Sequence, residues 1–222
     1  MTYVTANLHG DAEGFKALLQ TLKFKDKDIL YVLGDSVDFG EGAMDLLIDM
    51  SMRDNVFPLA GEHDLKALRM LSAFQRMLDN GEAPSPEFSA EMTAWAKDGG
   101  MATLGGYRAL DADMREGVLD YLSEFTLCEE VEIGSRSFVL AHAGLANYDA
   151  DKLPEDYTPE DVFTAALPPK DFFAAHTLVV GHTPTARGKI EYRDGVYHID
   201  CGAGRGGKIA ALCLETGEEY YV

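Results

Sequence analysis

The stretch "ILYVLGDSVDFG" (Ile29–Gly40) decides how this chain is read. Five apolar residues, Ile29 to Leu33, form a run too short for a helix and apolar on both faces, which predicts a buried strand of a parallel sheet. The run then stops at Gly34 and delivers two carboxylates, Asp35 and Asp38, within four residues. The same grammar recurs along the chain. "VTANLHGD" ends on Asn7 and His9, "VFPLAGEHD" on Glu62, His63 and Asp64, "FVLAHAG" on His142, "LVVGHTP" on His182, and "VYHIDCGAG" on His198 and Asp200. In open α/β sheets the carboxyl ends of parallel strands share one rim, where ligands bind, so side chains scattered in sequence can converge there.

Between these exits lie helical patterns. Phe15, Leu18, Leu19 and Leu22 in "DAEGFKALLQTL" recur at i, i+3, i+4 and i+7, and "EGAMDLLIDMSM" predicts a second helix. "VFPLA" (Val56–Ala60) reads as a strand whose Pro58 points to an edge or strand-start position. The order β-α-β-α-β predicts a largely parallel sheet with helices on its faces. From about 65 to 125 the chain turns helical, with a loop at "NGEAPSP" and a glycine-rich break at "DGGMATLGGY". Strands return with "CEEVEI" and "RSFVLAHA" around a Gly134-Ser135 turn, a helical stretch near Thr158–Ala166, "TLVVGH", "KIEYRDGVYHID" around Asp194-Gly195, then "KIAALCL" and "EEYYV". This last third favours antiparallel pairing. The expectation is an α/β fold of two packed mixed β-sheets flanked by helices, one domain over residues 1–222 with a helical segment at about 65–125.

With 222 residues the chain can bury a sizeable core. Its net charge of −19 repels nucleic-acid phosphates, so neither nucleic acid nor membrane is expected as partner, while oligomeric state stays open. A small phosphorylated substrate remains compatible if the site itself is strongly positive, which points to metal ions. The three cysteines (Cys128, Cys201, Cys213) lack metal-site spacing and read as reduced, buried thiols. The start has no basic segment leading into an apolar one, so a cytoplasmic protein is expected.

Taken singly, each polar residue has a blander explanation: Asp35 as a helix cap, Glu62 as a solvated carboxylate, a lone histidine as core packing. Strand exit after strand exit bearing Asp, Asn, Glu or His argues for a metal or acid–base site instead. His176 reads as structural and His198 as packing.

In order and interval, "ANLHGD", "GDSVDFG", "GEHD", "HAG" and "GHTP" resemble the motif series GDxHG, GDxVDRG, GNH(E/D), HxG and GHT of the calcineurin-like metallophosphoesterases, in particular the bacterial branch of the Ser/Thr protein phosphatase family. "WAKDGGMATLGGY" and "IDCGAGRGGKIAALCL" extend the resemblance over nearly the whole chain. It implies an α/β/β/α metallophosphoesterase sandwich and two divalent ions, manganese above all, with iron or zinc as alternatives. Asn7, His9 and Asp35 would hold the first ion, and Asp35, Glu62, His142 and His182 the second. Two such ions about 4 Å apart repel by roughly 17 kcal/mol at an effective dielectric of 20, so Asp35 and a bridging hydroxide are needed between them. That hydroxide would be the nucleophile, with His63 as acid to the leaving group and Asp38 fixing its tautomer.

Four departures from the family pattern stand out. Asn7 replaces an aspartate, so the first site should be weak; Glu62 replaces an asparagine; and Phe39 replaces a phosphate-clamping arginine. No arginine lies between Ala143 and Thr183 to act as a second clamp, which leaves Arg205 and Lys208 as substrate-binding candidates. The resemblance implies hydrolysis of a phosphomonoester, on a phosphoprotein or small molecule, or of a phosphoanhydride. The alternative is a catalytically weak or inactive pseudo-phosphatase that binds a ligand or partner.

Overall fold

The computed structural model describes residues 1–222. The anticipated strand Ile29–Leu33 (β2) lies parallel between β1 (Thr2–Thr5) and β3 (Val56–Leu59). The helices α1 (Ala12–Leu22) and α2 (Ala43–Ser51) connect them, and the predicted stripe Phe15, Leu18, Leu19 and Leu22 is buried. Pro58 sits on the sheet edge, where a missing N–H costs no ladder bond. Of the chain's last strands, β9 (Ala210–Cys213) adds antiparallel to β1 and β10 (Glu219–Tyr221) antiparallel to β9, completing a five-stranded sheet β10-β9-β1-β2-β3.

The second sheet has the order β4-β5-β6-β8-β7. Its hairpins are the anticipated ones: β4 (Cys128–Ile133) with β5 (Arg136–Ala141), and β7 (Glu191–Arg193) with β8 (Val196–His198). Antiparallel pairing prevails in this last third, as expected, with one exception: β6 (His176–Val180) runs parallel to both β5 and β8. The long excursion between β5 and β6 across the sheet's outer face supplies the crossover that a parallel pair requires. The sheets are therefore both mixed.

Strand alternation splits the core into layers. Tyr3, Leu30 and Val32 face α1, α2 and the helical segment. Val4, Leu33, Leu59 and Leu212 meet Phe138, Leu140 and Val179 between the sheets. Val139, Ala141, Leu178 and Val180 pack outward on Tyr157, Val162 and Phe172. That outer layer is thin: the expected helix near Thr158–Ala166 is one turn, Pro159–Val162.

The helical segment comprises α3 (Glu62–Asn80), α4 (Pro86–Trp95), α5 (Met101–Ala109) and α6 (Ala112–Ser123), and the short α7 is the turn Pro159–Val162. The expected glycine-rich break shrinks to Asp98 and Gly99, whose backbones leave the helical region. Gly105 and Gly106 continue α5, and a Cβ on Gly106 would lie 3.0 Å from the Met44 side chain, so the glycine permits α5 to press on α2. No helix is long and apolar enough to cross a membrane.

Candidate metal centre

Six strand exits, after β1, β2, β3, β5, β6 and β8, open on one rim shared by the two sheets. The loops after β1 and β2 are zipped together beyond their strands. Asn7 donates its N–H to the Gly34 carbonyl at 3.0 Å, His9 to Asp35 at 2.9 Å and Gly10 to Ser36 at 2.7 Å. Turning side chains off the strands bends the backbone hard. Asn7, His9, Asp35, Asp38, Phe39 and His182 all have positive φ, between 45° and 69°. Each costs on the order of 1–3 kcal/mol, and such a concentration of strain marks a site over-determined by its surroundings.

Asp35, Glu62, His142 and His182 offer donor atoms that all lie within 4.8 Å of one another. His142 Nε2 is 3.1 Å from Glu62 Oε2, 3.1 Å from His182 Nδ1 and 3.4 Å from Asp35 Oδ2, and His182 Nδ1 is 2.9 Å from Glu62 Oε2. Four ligands at tetrahedral metal distances stand about 3.3–3.6 Å apart, so this donor set fits a divalent ion with little movement. The orientation is prepared as well: His142 Nδ1–H donates to the Leu33 carbonyl at 2.8 Å, leaving the Nε2 lone pair to face the cluster. The charges of the four side chains lean on each other. Burial opposes ionisation of His142, yet Asp35 and Glu62 hold its pKa up at about 10. Glu62, likewise opposed by burial, is drawn to about 2 by His142 and His182.

The sequence reading of Asn7 as a ligand of a first ion meets a different geometry. The Asn7 side-chain oxygen accepts the His182 backbone N–H at 2.8 Å, and its Nδ2 donates to Asp35 Oδ2 at 3.1 Å. An amide NH2 in that direction is no metal donor. His9, in contrast, is oriented as His142 is: its Nδ1–H donates to the Val37 carbonyl at 3.1 Å, which leaves Nε2 free, 4.0 Å from Asp35 Oδ2.

Beside the cluster stands the expected His63–Asp38 pair, with Nδ1 2.8 Å from Asp38 Oδ2. Asp38 is fully buried and held from three sides: Trp95 Nε1 donates to Oδ2 at 2.9 Å, the Thr103 hydroxyl to Oδ1 at 2.7 Å, and the backbone N–H of Asp38 returns to that hydroxyl at 2.9 Å. Burial lowers the imidazolium's stability, but Asp38, Asp35 and Asp98 outweigh it and raise His63 to about 9.

Sequence reasoning assigned no role to Trp95, Thr103 or Asp98. It began the helical segment at about 65, whereas Glu62, His63 and Asp64 already open α3. Asp64 takes the N–H groups of Gly61, Ser36 and Val37 at 2.9, 2.9 and 3.3 Å, tying the β2 and β3 exits together. The signal was present, since an Asp three residues after Gly61 is a capping pattern.

Above these groups lies a cleft of about 280 Å3. Asp98 and Asp200 line it too, and Arg205 is its one Lys or Arg. Lys208 does not line it; its ammonium sits 5.9 Å above the Tyr221 ring. Phe39 forms a wall, edge-on to His9 and His63 at centroid distances of 5.0 and 5.2 Å. His176 stacks on Phe172 and bonds Ser137, outside the cleft, which agrees with a structural role.

A family model for calcineurin-like phosphoesterases matches residues 2–203. No curated protein matches the sequence. Among solved structures the fold is similar to a candidate diadenosine tetraphosphatase (18% identity, 100% of this chain and 92% of that one, TM-score 0.65). It is also similar to a protein serine/threonine phosphatase from Saccharomyces cerevisiae (14%, 100% and 79%, 0.59). A third neighbour is a cold-active protein-tyrosine phosphatase from a Shewanella species (14%, 99% and 79%, 0.54). At these identities the likeness concerns the fold.

Proposed function

Because the chain belongs to the calcineurin-like phosphoesterase family, we propose that its cleft hydrolyses a phosphomonoester or a phosphoanhydride with the help of a divalent metal ion. The observation that carries this reading is the convergence of Asp35, Glu62, His142 and His182 in the same cleft as the His63–Asp38 pair. An ion held there supplies positive charge for a phosphoryl oxygen and lowers the pKa of water towards neutrality. Manganese, iron or zinc suits two imidazoles with two carboxylates better than magnesium does.

The protein's own groups do the rest. With its pKa raised by the Asp38 carboxylate and Nδ1 committed to it, His63 offers Nε2–H to the leaving oxygen. Asp38 holds the tautomer, and Trp95 and Thr103 hold Asp38. Arg205, which lines the cleft, would pair with a non-reacting phosphoryl oxygen. Phe39 borders both the cleft and a shallow groove of about 680 Å3 that also includes Lys97 and Met101, a path for the remainder of a substrate.

A second reading, a ligand-binding protein without turnover, draws support from Phe39 at the position of the family's clamping arginine. One assay separates the two: turnover of p-nitrophenyl phosphate and of diadenosine tetraphosphate by manganese-loaded protein, against His182→Ala. Chelator-sensitive turnover that the variant loses is expected. Equal rates in both proteins would overturn hydrolysis, and tight tungstate binding without turnover would establish the second reading.

A further inference from the structure

We propose that this centre binds one divalent ion, not a pair, and that the side-chain amide of Asn7 occupies the place of the other. The inference rests on reading the four-residue cluster as an ion site and concerns what lies next to it.

Asn7 is 2% exposed, and its two polar ends face fixed partners. The His182 N–H can only donate, and it points at the Asn7 oxygen from 2.8 Å. Turning the amide over would set NH2 against that N–H, donor against donor, in a buried site where one lost hydrogen bond is expensive. The neighbouring Gly181 keeps the contact close, since a Cβ there would lie 2.5 Å from the same oxygen. The NH2 is thereby aimed at Asp35 Oδ2, where it has no lone pair to give a metal and brings its own partial positive charge.

What remains for another ion on that side is thin. His9 contributes one neutral nitrogen, 4.0 Å from an Asp35 oxygen that the Asn7 NH2 already uses. One imidazole and part of one carboxylate fall short of the three or four protein ligands that hold such ions. The four-donor cluster, in contrast, is complete, and Glu62 gives it a second carboxylate. One ion with two carboxylates is charge-neutral, so Asn7 and Glu62 act together: the amide removes one cation and the glutamate balances the one that stays. Two divalent ions against the same two carboxylates would carry a surplus of +2; one ion carries none, which leaves His63 and Arg205 as the positive groups facing a phosphate.

The test is manganese stoichiometry by equilibrium dialysis and elemental analysis, with electron paramagnetic resonance of the loaded protein. The wild type is expected to bind one ion per chain with the six-line spectrum of an isolated Mn2+. His9→Gln keeps that ion, and His182→Ala loses it. Asn7→Asp gains a second ion and shows the broadened spectrum of a coupled pair. Two ions with coupling in the wild type would overturn the proposal while leaving the metal-dependent reading intact. Loss of the ion in His9→Gln would overturn it equally. No bound ion in the wild type would overturn both. The wild-type spectrum decides the matter even if a variant fails to fold.

Discussion

Trp95 Nε1 donates to Asp38 Oδ2, the same oxygen that accepts from His63 Nδ1, across 57 residues of sequence. The indole is therefore a positioning group for the acid imidazole, and the helical segment is tied to the chemistry through it. Gly100 makes room, since a Cβ there would strike the indole ring. Trp95→Phe keeps the ring and removes the N–H, which should cost about 1–2 kcal/mol of stability, seen as a lower urea midpoint. It should also lower kcat roughly tenfold by loosening His63, with little change in KM or in bound metal. Unchanged kcat would show that Asp38 needs no help from α4.

His63 itself is not a ligand of the cluster, although it neighbours Glu62. Its ring nitrogens are assigned to Asp38 and the cleft, and its backbone N–H donates to Asp35 Oδ1 at 3.1 Å, a bond that any substitution except proline retains. His63→Ala should keep metal content and slow hydrolysis by about 10²–10⁴ for alkyl phosphates, less for p-nitrophenyl phosphate, whose leaving group needs no proton. Loss of metal in this variant would move His63 into the ligand set.

Phe39 occupies a left-handed backbone position, φ 65°, and is 45% exposed, so an arginine there meets no core packing and no new strain. Its ring already reaches the His9 and His63 side of the cleft. Phe39→Arg should place a guanidinium beside a bound phosphate and lower KM for a phosphomonoester by roughly tenfold, with the fold unaffected. An unchanged KM would indicate that substrates lie along Arg205 instead.

Much of this was legible in the sequence because strand ends are local. A short apolar run that stops at Gly34-Asp35 or at Gly181-His182 announces both a buried strand and a side chain on its rim. The two β-hairpins were equally local, set by Gly134 and Gly195. What was hidden depends on closure over distance. The direction of the Asn7 amide is set by the N–H of His182, 175 residues away, and the clamp on Asp38 by Thr103, 65 residues away. Lys208 looked like a cleft cation because it follows Arg205 in a glycine-rich turn, but the chain re-enters pairing with Val222 and Tyr221 there and carries the ammonium over the tyrosine. The parallel pairing of β6 was hidden for the same reason, since the crossover before it contains no long helix to announce it.

That crossover supports the centre through Asp161. Its carboxylate accepts from Asn147 at 2.6 Å, Lys152 at 2.9 Å and the Thr158 N–H at 3.0 Å, while the backbone of α7 accepts the N–H groups of Ala143, Gly144 and Ala146, directly after His142. Lys152 first, then Asn147 and the Thr158 N–H, hold the Asp161 pKa well below the usual carboxylate range. A depressed carboxylate stabilises the fold above its unfolded pKa of about 4 and loses that contribution as pH falls towards the folded value. Asp161→Asn should therefore cost about 2 kcal/mol at neutral pH, and urea midpoints of the two proteins should converge below about pH 4. Chelator-treated protein suits this measurement, because bound metal adds its own acid sensitivity at the histidines. A deficit that stayed constant down to pH 2.5 would place the contribution of Asp161 in neutral hydrogen bonding rather than in its charge.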